Sequence, residues 1–240
     1  MSETETSIVR RDKKPSSASA DEPYALPLWA IRLLRAALRL LFRLLWRARY
    51  IGVENVPASG GVIIAANHQT YFDPFWLGAP IPLHARFLAW DKVFDWPVAG
   101  TLMRLLGAWP LQVQKGDRRA IRRSLQWLRG GGALVIFPEG GRAFSDGKMQ
   151  EFKVGAARLA LEAGVPVLPI TIRGGHRIWP RDWRYPRLGR LEIVYHPLHR
   201  LTPLPGEDTR QAARRETDKL YEIIHSALES KDEGGRMKDE

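Results

Sequence analysis

The chain has 240 residues and 45% hydrophobic content, enough for one domain with a sizeable core. Its 37 Lys and Arg against 26 Asp and Glu leave a formal net charge of +11, so the expected partner is anionic: a phospholipid surface, an acidic substrate or nucleic acid. There is no cysteine, which excludes thiol catalysis and fits a reducing interior.

Residues 1–24 are polar, with Ser16, Ser17 and Ser19 beside Lys13 and Lys14, and read as a disordered tail. No uninterrupted apolar core follows the charged residues, so this is not a secretory signal. Residues 25–50 read as a basic amphipathic helix. Between Leu26 and Tyr50 there are six arginines and no acid. Arg32, Arg35, Arg39, Arg43 and Arg47 recur every three or four residues and so form one stripe on a helix. Crossing a membrane would cost roughly 3 kcal/mol for each of Arg35, Arg39 and Arg43, against about 0.5 kcal/mol gained per Leu, Ile or Phe. Eleven such apolar residues in the segment return only about 5 kcal/mol, so spanning loses. A helix lying in the membrane interface fits better, with leucines in the acyl region and arginines at anionic head groups. The competing arrangement is a helix packed on the core with a solvated basic face.

From 51 to 229 short apolar runs alternate with helical patterns, which predicts an α/β sandwich around a central sheet. Strands are expected at 61–66, 86–90, 109–113, 133–137, 166–172 and 190–195, and helices at 74–79, 96–106, 118–129 and 152–163. Gly130-Gly131-Gly132 stops the third helix. A last helix from Glu207 to Glu229 places Ala213, Leu220, Ile224 and Leu228 on one face. Residues 230–240 form a flexible charged tail. The stretch from His176 to Arg190 has no regular period and reads as a long basic and aromatic surface loop, which suits lipid head groups and would also suit single-stranded nucleic acid; the N-terminal helix favours lipid. His196 and His199 lack acidic or thiol neighbours at ligand spacing, so no metal site is expected.

Two stretches carry chemistry. Asn67-His68-Gln69-Thr70-Tyr71-Phe72-Asp73 offers a base and a carboxylate to orient it, at the point where the strand Val62-Ile63-Ile64-Ala65-Ala66 leaves the sheet. Asp73-Pro74 also reads as an N-cap followed by proline at the first helical position. Phe137-Pro138-Glu139-Gly140-Gly141-Arg142 offers a guanidinium, whose planar fork suits phosphate, and glycines that let backbone approach closely. No G-x-S-x-G elbow is present.

With Gly107-Ala108-Trp109-Pro110 between them and Val165-Pro166-Val167-Leu168-Pro169-Ile170 after them, these stretches resemble the four ordered blocks of the lysophosphatidic acid acyltransferases, a family of glycerolipid acyltransferases. The likeness runs from about Tyr50 to about His199. It implies a single α/β domain with a central mixed sheet flanked by helices, preceded by the membrane-interface helix. It also implies that His68 and Asp73 are a catalytic dyad, and that Glu139, Gly140, Gly141 and Arg142 bind the acceptor's phosphate. Lys153 lies where the family often has a basic residue. The second block departs from the family pattern, because Val113 stands near a position usually held by arginine. Lys115 is the nearest candidate to replace it, with Arg118 and Arg119 close behind.

The resemblance implies transfer of a fatty acyl group from acyl-CoA or acyl-carrier protein, used as a substrate and with no cofactor, to a lysophospholipid. The most direct acceptor is 1-acyl-sn-glycerol 3-phosphate, giving phosphatidic acid in phospholipid biosynthesis. The expected partners are an anionic phospholipid surface, the acceptor and the donor, not nucleic acid. The expected location is peripheral, on the cytoplasmic face of the cell membrane. Glycerol 3-phosphate or a lysolipid without phosphate is the alternative acceptor, and a non-catalytic membrane- or nucleic-acid-binding protein is the alternative class.

Overall fold

A computed structural model of the chain describes residues 28–83, 85–105, 107–111 and 117–229. The tails at 1–24 and 230–240 lie outside those residues. Among the described residues, seven strands form one mixed sheet: β1 (Arg49–Ile51), β2 (Val62–Ala66), β3 (Ala85–Trp90), β4 (Ala108–Leu111), β5 (Ala133–Ile136), β6 (Val167–Arg173) and β7 (Glu192–Tyr195). Their spatial order is β1-β7-β6-β2-β5-β3-β4, and only the β6–β7 pair is antiparallel. The α/β sandwich with a mixed central sheet is therefore present as expected.

β2 lies at the centre, and all five of its residues are buried. Val62, Ile64 and Ala66 enter the core on one face with Trp76, Leu168, Ile170 and Ile193, while Ile63 and Ala65 enter the other with Leu125, Leu134, Ala157 and Leu220. A strand covered on both faces needs a continuous apolar run rather than alternation, and that is what this sequence provides. At its start, a side chain on Gly61 would collide with the Leu128 carbonyl oxygen, so glycine is needed for the strand to pass under that helix.

The helices are α1 (Leu28–Trp46), α2 (Asp73–Gly78), α3 (Pro97–Leu105), α4 (Arg118–Arg129), α5 (Gly155–Ala163), α6 (Gly175–Ile178) and α7 (Thr209–Glu229). α4 matches its predicted bounds. Its N-cap Asp117 accepts hydrogen bonds from the Arg119 and Ala120 N–H groups, and Gly130 ends it. α5 starts three residues later than expected, because the Lys153 N–H is drawn back to the Pro138 carbonyl. β1 was not anticipated. It has only three residues and exists through its parallel pairing with β7.

α1 divides its apolar residues between two environments. Phe42 and Trp46 are buried and Leu38 packs against the same core, while Trp29, Leu33, Leu34, Leu40, Leu41, Leu44 and Leu45 remain exposed. The Trp46 indole donates to the Arg187 carbonyl at 2.9 Å, and Arg35 donates to the Leu83 carbonyl at 3.1 Å. Among the described residues, no helix is long and apolar enough to cross a membrane.

Candidate active site

β2 and β5 are adjacent and parallel, with Ala65 opposite Ile136. Their carboxyl ends therefore release the 67–72 and 137–142 loops side by side, at the edge where open α/β sheets place ligands. Asn67 anchors the first loop. Its side chain donates to the Ile172 carbonyl at 2.9 Å and accepts from the Ile172 N–H at 2.7 Å, so it continues the ladder to β6.

Asp73 is fully buried, yet its carboxylate is surrounded by donors. Oδ2 accepts from the Gln69 and Thr70 N–H groups and contacts His68 Nδ1 at 2.8 Å, while Oδ1 accepts from the Thr70 hydroxyl at 2.8 Å. The N-cap expectation needs correction here. The cap position is Phe72, Asp73 is the first helical residue, and its side chain turns back into the loop instead of capping α2. With Nδ1–H donated to this carboxylate, Nε2 is left as the basic nitrogen, and it has no hydrogen-bond partner among the described residues. The imidazole is stacked on Phe137, with centroids 4.1 Å apart and an interplanar angle of 21°. Its side chain is 18% exposed, so the ring is held but reachable.

Glu139 occupies a different place from the one its motif suggested. Its side chain is buried: Oε1 accepts from the His68 N–H at 2.6 Å and Oε2 from the Gln150 N–H at 2.8 Å. It ties the two loops together rather than lining an open surface. Burial, opposed by those two hydrogen bonds, pushes its carboxyl pKa up from 4.5 to about 7. The Ala143 N–H donates to the His68 carbonyl at 2.7 Å and completes the link between loops.

The cations lie beside this junction. The Arg142 guanidinium carbon sits 3.6 Å from the centre of the Tyr71 ring. Its N–H groups have no acceptor among the described residues. The glycine at 140 adopts φ +69, and a side chain there would collide with the Lys153 side chain, so Lys153 lies directly against that turn. The Lys153 ammonium likewise has no ion-pair partner among the described residues. The Gly140 N–H is already donated to the Phe137 carbonyl at 3.0 Å, and Gly141 has open space beside it. The structure thus brings His68, Asp73, Arg142, Lys153 and the 139–141 turn into one place. Lys115 and Val113 fall in 112–116, outside the described residues.

Phe137, Gln150 and Tyr71 were not singled out by the sequence, although Phe137 and Tyr71 sit inside the two motifs. His196 and His199 are bonded to Thr171 and Glu216, and no group of three or more possible metal ligands occurs among the described residues.

A family profile described as acyltransferase matches residues 47–173, which contain both loops and the strands that carry them. This chain belongs to the acyltransferase family. The chain is 34% identical to a chloroplast 1-acyl-sn-glycerol-3-phosphate acyltransferase from Brassica napus over 134 residues, 54% of this chain and 38% of that protein. It is 33% identical over 152 residues to a 1-acyl-sn-glycerol-3-phosphate acyltransferase from Pseudomonas aeruginosa, covering 61% of this chain and 56% of that one. Its fold is similar to the crystal structure of the 1-acyl-sn-glycerophosphate acyltransferase PlsC from Thermotoga maritima, with a TM-score of 0.64 and 25% identity over 85% of this chain and 79% of that chain. The chain spans about half the length of the curated relatives it matches.

Proposed function

We propose that this protein transfers a fatty acyl group from a thioester to the free hydroxyl of a lysophospholipid, most directly 1-acyl-sn-glycerol 3-phosphate, giving phosphatidic acid. The observation that carries this reading is the meeting, at one end of the sheet, of an imidazole oriented by a buried carboxylate and a half-buried guanidinium whose donors are unused among the described residues. The family membership and the activity for which the relatives are named point the same way.

In this scheme the acceptor's hydroxyl gives its proton to His68 Nε2 as its oxygen attacks the thioester carbonyl. The C–S bond then breaks, and the departing thiolate takes the proton back from the imidazolium. Asp73 stabilises that transient cation and holds the ring in its tautomer. Arg142 and Lys153, with the 139–141 turn between them, receive the acceptor's phosphate, where a planar fork can donate two hydrogen bonds at once. No serine or thiol nucleophile and no cofactor enters the scheme. The donor is acyl-CoA or acyl-carrier protein.

The protein would work at an anionic membrane surface, peripherally and on the cytoplasmic side. The exposed leucines of α1, the arginines beside them and the exposed Trp183, Tyr185 and Leu188 near Trp46 favour this placement. The departure from the family pattern at Val113 keeps glycerol 3-phosphate and phosphate-free lysolipids as competing acceptors.

An acceptor panel tests the reading. Thiol release from each donor type is measured with lysophosphatidate, glycerol 3-phosphate and a lysolipid lacking phosphate. Lysophosphatidate should give the highest kcat/KM, and Arg142→Ala should raise KM for it far more than for the thioester. Equal use of the phosphate-free lysolipid would contradict the phosphate assignment. No thiol release with any acceptor would contradict the enzyme reading.

A further inference from the structure

Tyr71 has no part in the scheme above, yet it is the side chain that holds Arg142 in place. We propose that Tyr71 is a positioning residue for acceptor recognition, fixing the plane of the Arg142 guanidinium so that its in-plane N–H groups are presented to the acceptor's phosphate. The proposal rests on the reading of Arg142 as the phosphate contact.

Three observations carry it. The guanidinium carbon lies 3.6 Å from the Tyr71 ring centroid, and stacking of this kind engages the face of the cation while leaving its edge donors unspent. Those donors have no acceptor among the described residues, so the stack is what orders a long, flexible side chain before any anion arrives. Tyr71 is itself held, edge to face, by Trp179 at 5.7 Å and 66°.

The position of Tyr71 in the chain adds a consequence. It lies in the turn closed by the Thr70 hydroxyl, which accepts from the Phe72 N–H at 3.0 Å and donates to Asp73. The turn that orients the base therefore also sets the ring beneath the cation. The distance between proton acceptor and phosphate contact is fixed by one short piece of backbone. Tyr71 is 48% exposed, so removing its ring leaves the core intact.

Steady-state kinetics of the full chain with lysophosphatidate and a thioester donor test this, with thermal unfolding midpoints recorded for every variant. Tyr71→Ala should raise the acceptor KM roughly three- to tenfold, with kcat and the donor KM changed by less than about twofold and the midpoint unchanged. Tyr71→Phe keeps the ring face and should behave as the unaltered protein. In an Arg142→Ala background, Tyr71→Ala should add no further loss. If Arg142→Ala raises the acceptor KM while Tyr71→Ala does not, the positioning role falls and the phosphate assignment stands. If Arg142→Ala has no effect on that KM, the phosphate assignment falls and the proposal with it. A Tyr71→Phe defect as large as that of Tyr71→Ala, or a lowered midpoint with uniform loss in kcat and both KM values, also overturns the role.

Discussion

At Asp73 and Glu139 two buried carboxyl groups lie within one pair of loops, and their hydrogen bonds separate their roles. Asp73 collects donors from His68, Gln69 and Thr70, so Asp73→Asn keeps much of the geometry but removes the charge that would balance an imidazolium. It should lower kcat by roughly 10²- to 10⁴-fold while costing only about 1–3 kcal/mol of stability, measured by turnover and by denaturant unfolding. Among the described residues Glu139 accepts from backbone N–H groups only, and burial raises its pKa from 4.5 to about 7. The folded protein therefore retains a proton there that the unfolded chain has already released. The stability from this group is complete below pH 4.5 and is lost as pH rises through about 7, at most about 3 kcal/mol across that window. Unfolding free energies measured from about pH 4.5 to about pH 8 should show this fall, and Glu139→Gln should flatten it. An unchanged slope in the variant would place the titration elsewhere. The family resemblance put the acidic residue of the second motif in a phosphate site. Its inward orientation was not legible in the sequence, because it depends on the His68 and Gln150 backbones meeting across 71 and 11 residues of chain.

Among the elements, α1 best separates what periodicity can reveal from what it cannot. The spacing of its arginines gave the helix and its amphipathic character, since both follow from 3.6 residues per turn. Spacing could not say which leucines meet the core, because that depends on where α2 and β7 stand. In the fold, Phe42 and Trp46 pack with Phe72 and Trp76, while Leu33, Leu40 and Leu44 stay exposed beside Arg32, Arg39 and Arg43. The core-packed arrangement thus describes Phe42 and Trp46, while the exposed leucines leave the membrane-interface arrangement to a vesicle test. Two variants distinguish the parts. Phe42→Ala should cost about 3–5 kcal/mol of stability, read as a lower unfolding midpoint. Leu40→Ser combined with Leu44→Ser should leave that midpoint nearly unchanged but weaken sedimentation with anionic vesicles at least about tenfold. Vesicle binding equal to that of the unaltered protein would detach α1 from the membrane role. The late start of α5 follows a similar rule: the apolar pattern begins at Phe152, but the Lys153 N–H is committed to Pro138 and the helix waits until Gly155.

For the molecule as a whole, the controlling fact is strand order. Apolar runs located six of the seven strands to within a residue or two, but a linear pattern does not state which strands are neighbours. The pairing of β2 with β5, whose partners such as Val62 and Ala133 are 71 residues apart, turns two separate motifs into one site. The third strand of that central group, β6, anchors Asn67 through Ile172. Short range carries the His68–Asp73 pair, five residues apart, and long range carries everything that surrounds it: the Phe137 stack, the Glu139 tie and the Arg142 cation. The net charge of +11 adds an overall attraction for anionic surfaces that should weaken as salt rises.

The account depends most on His68 acting as a base toward an acceptor's hydroxyl. The direct measurement is thiol released from a fatty acyl thioester in the presence of lysophosphatidate vesicles, comparing the unaltered protein with His68→Ala. The expected result is acceptor-dependent release that falls at least about a hundredfold in the variant, with vesicle binding and unfolding midpoint retained. A His68→Ala protein that still transfers at full rate would contradict the account.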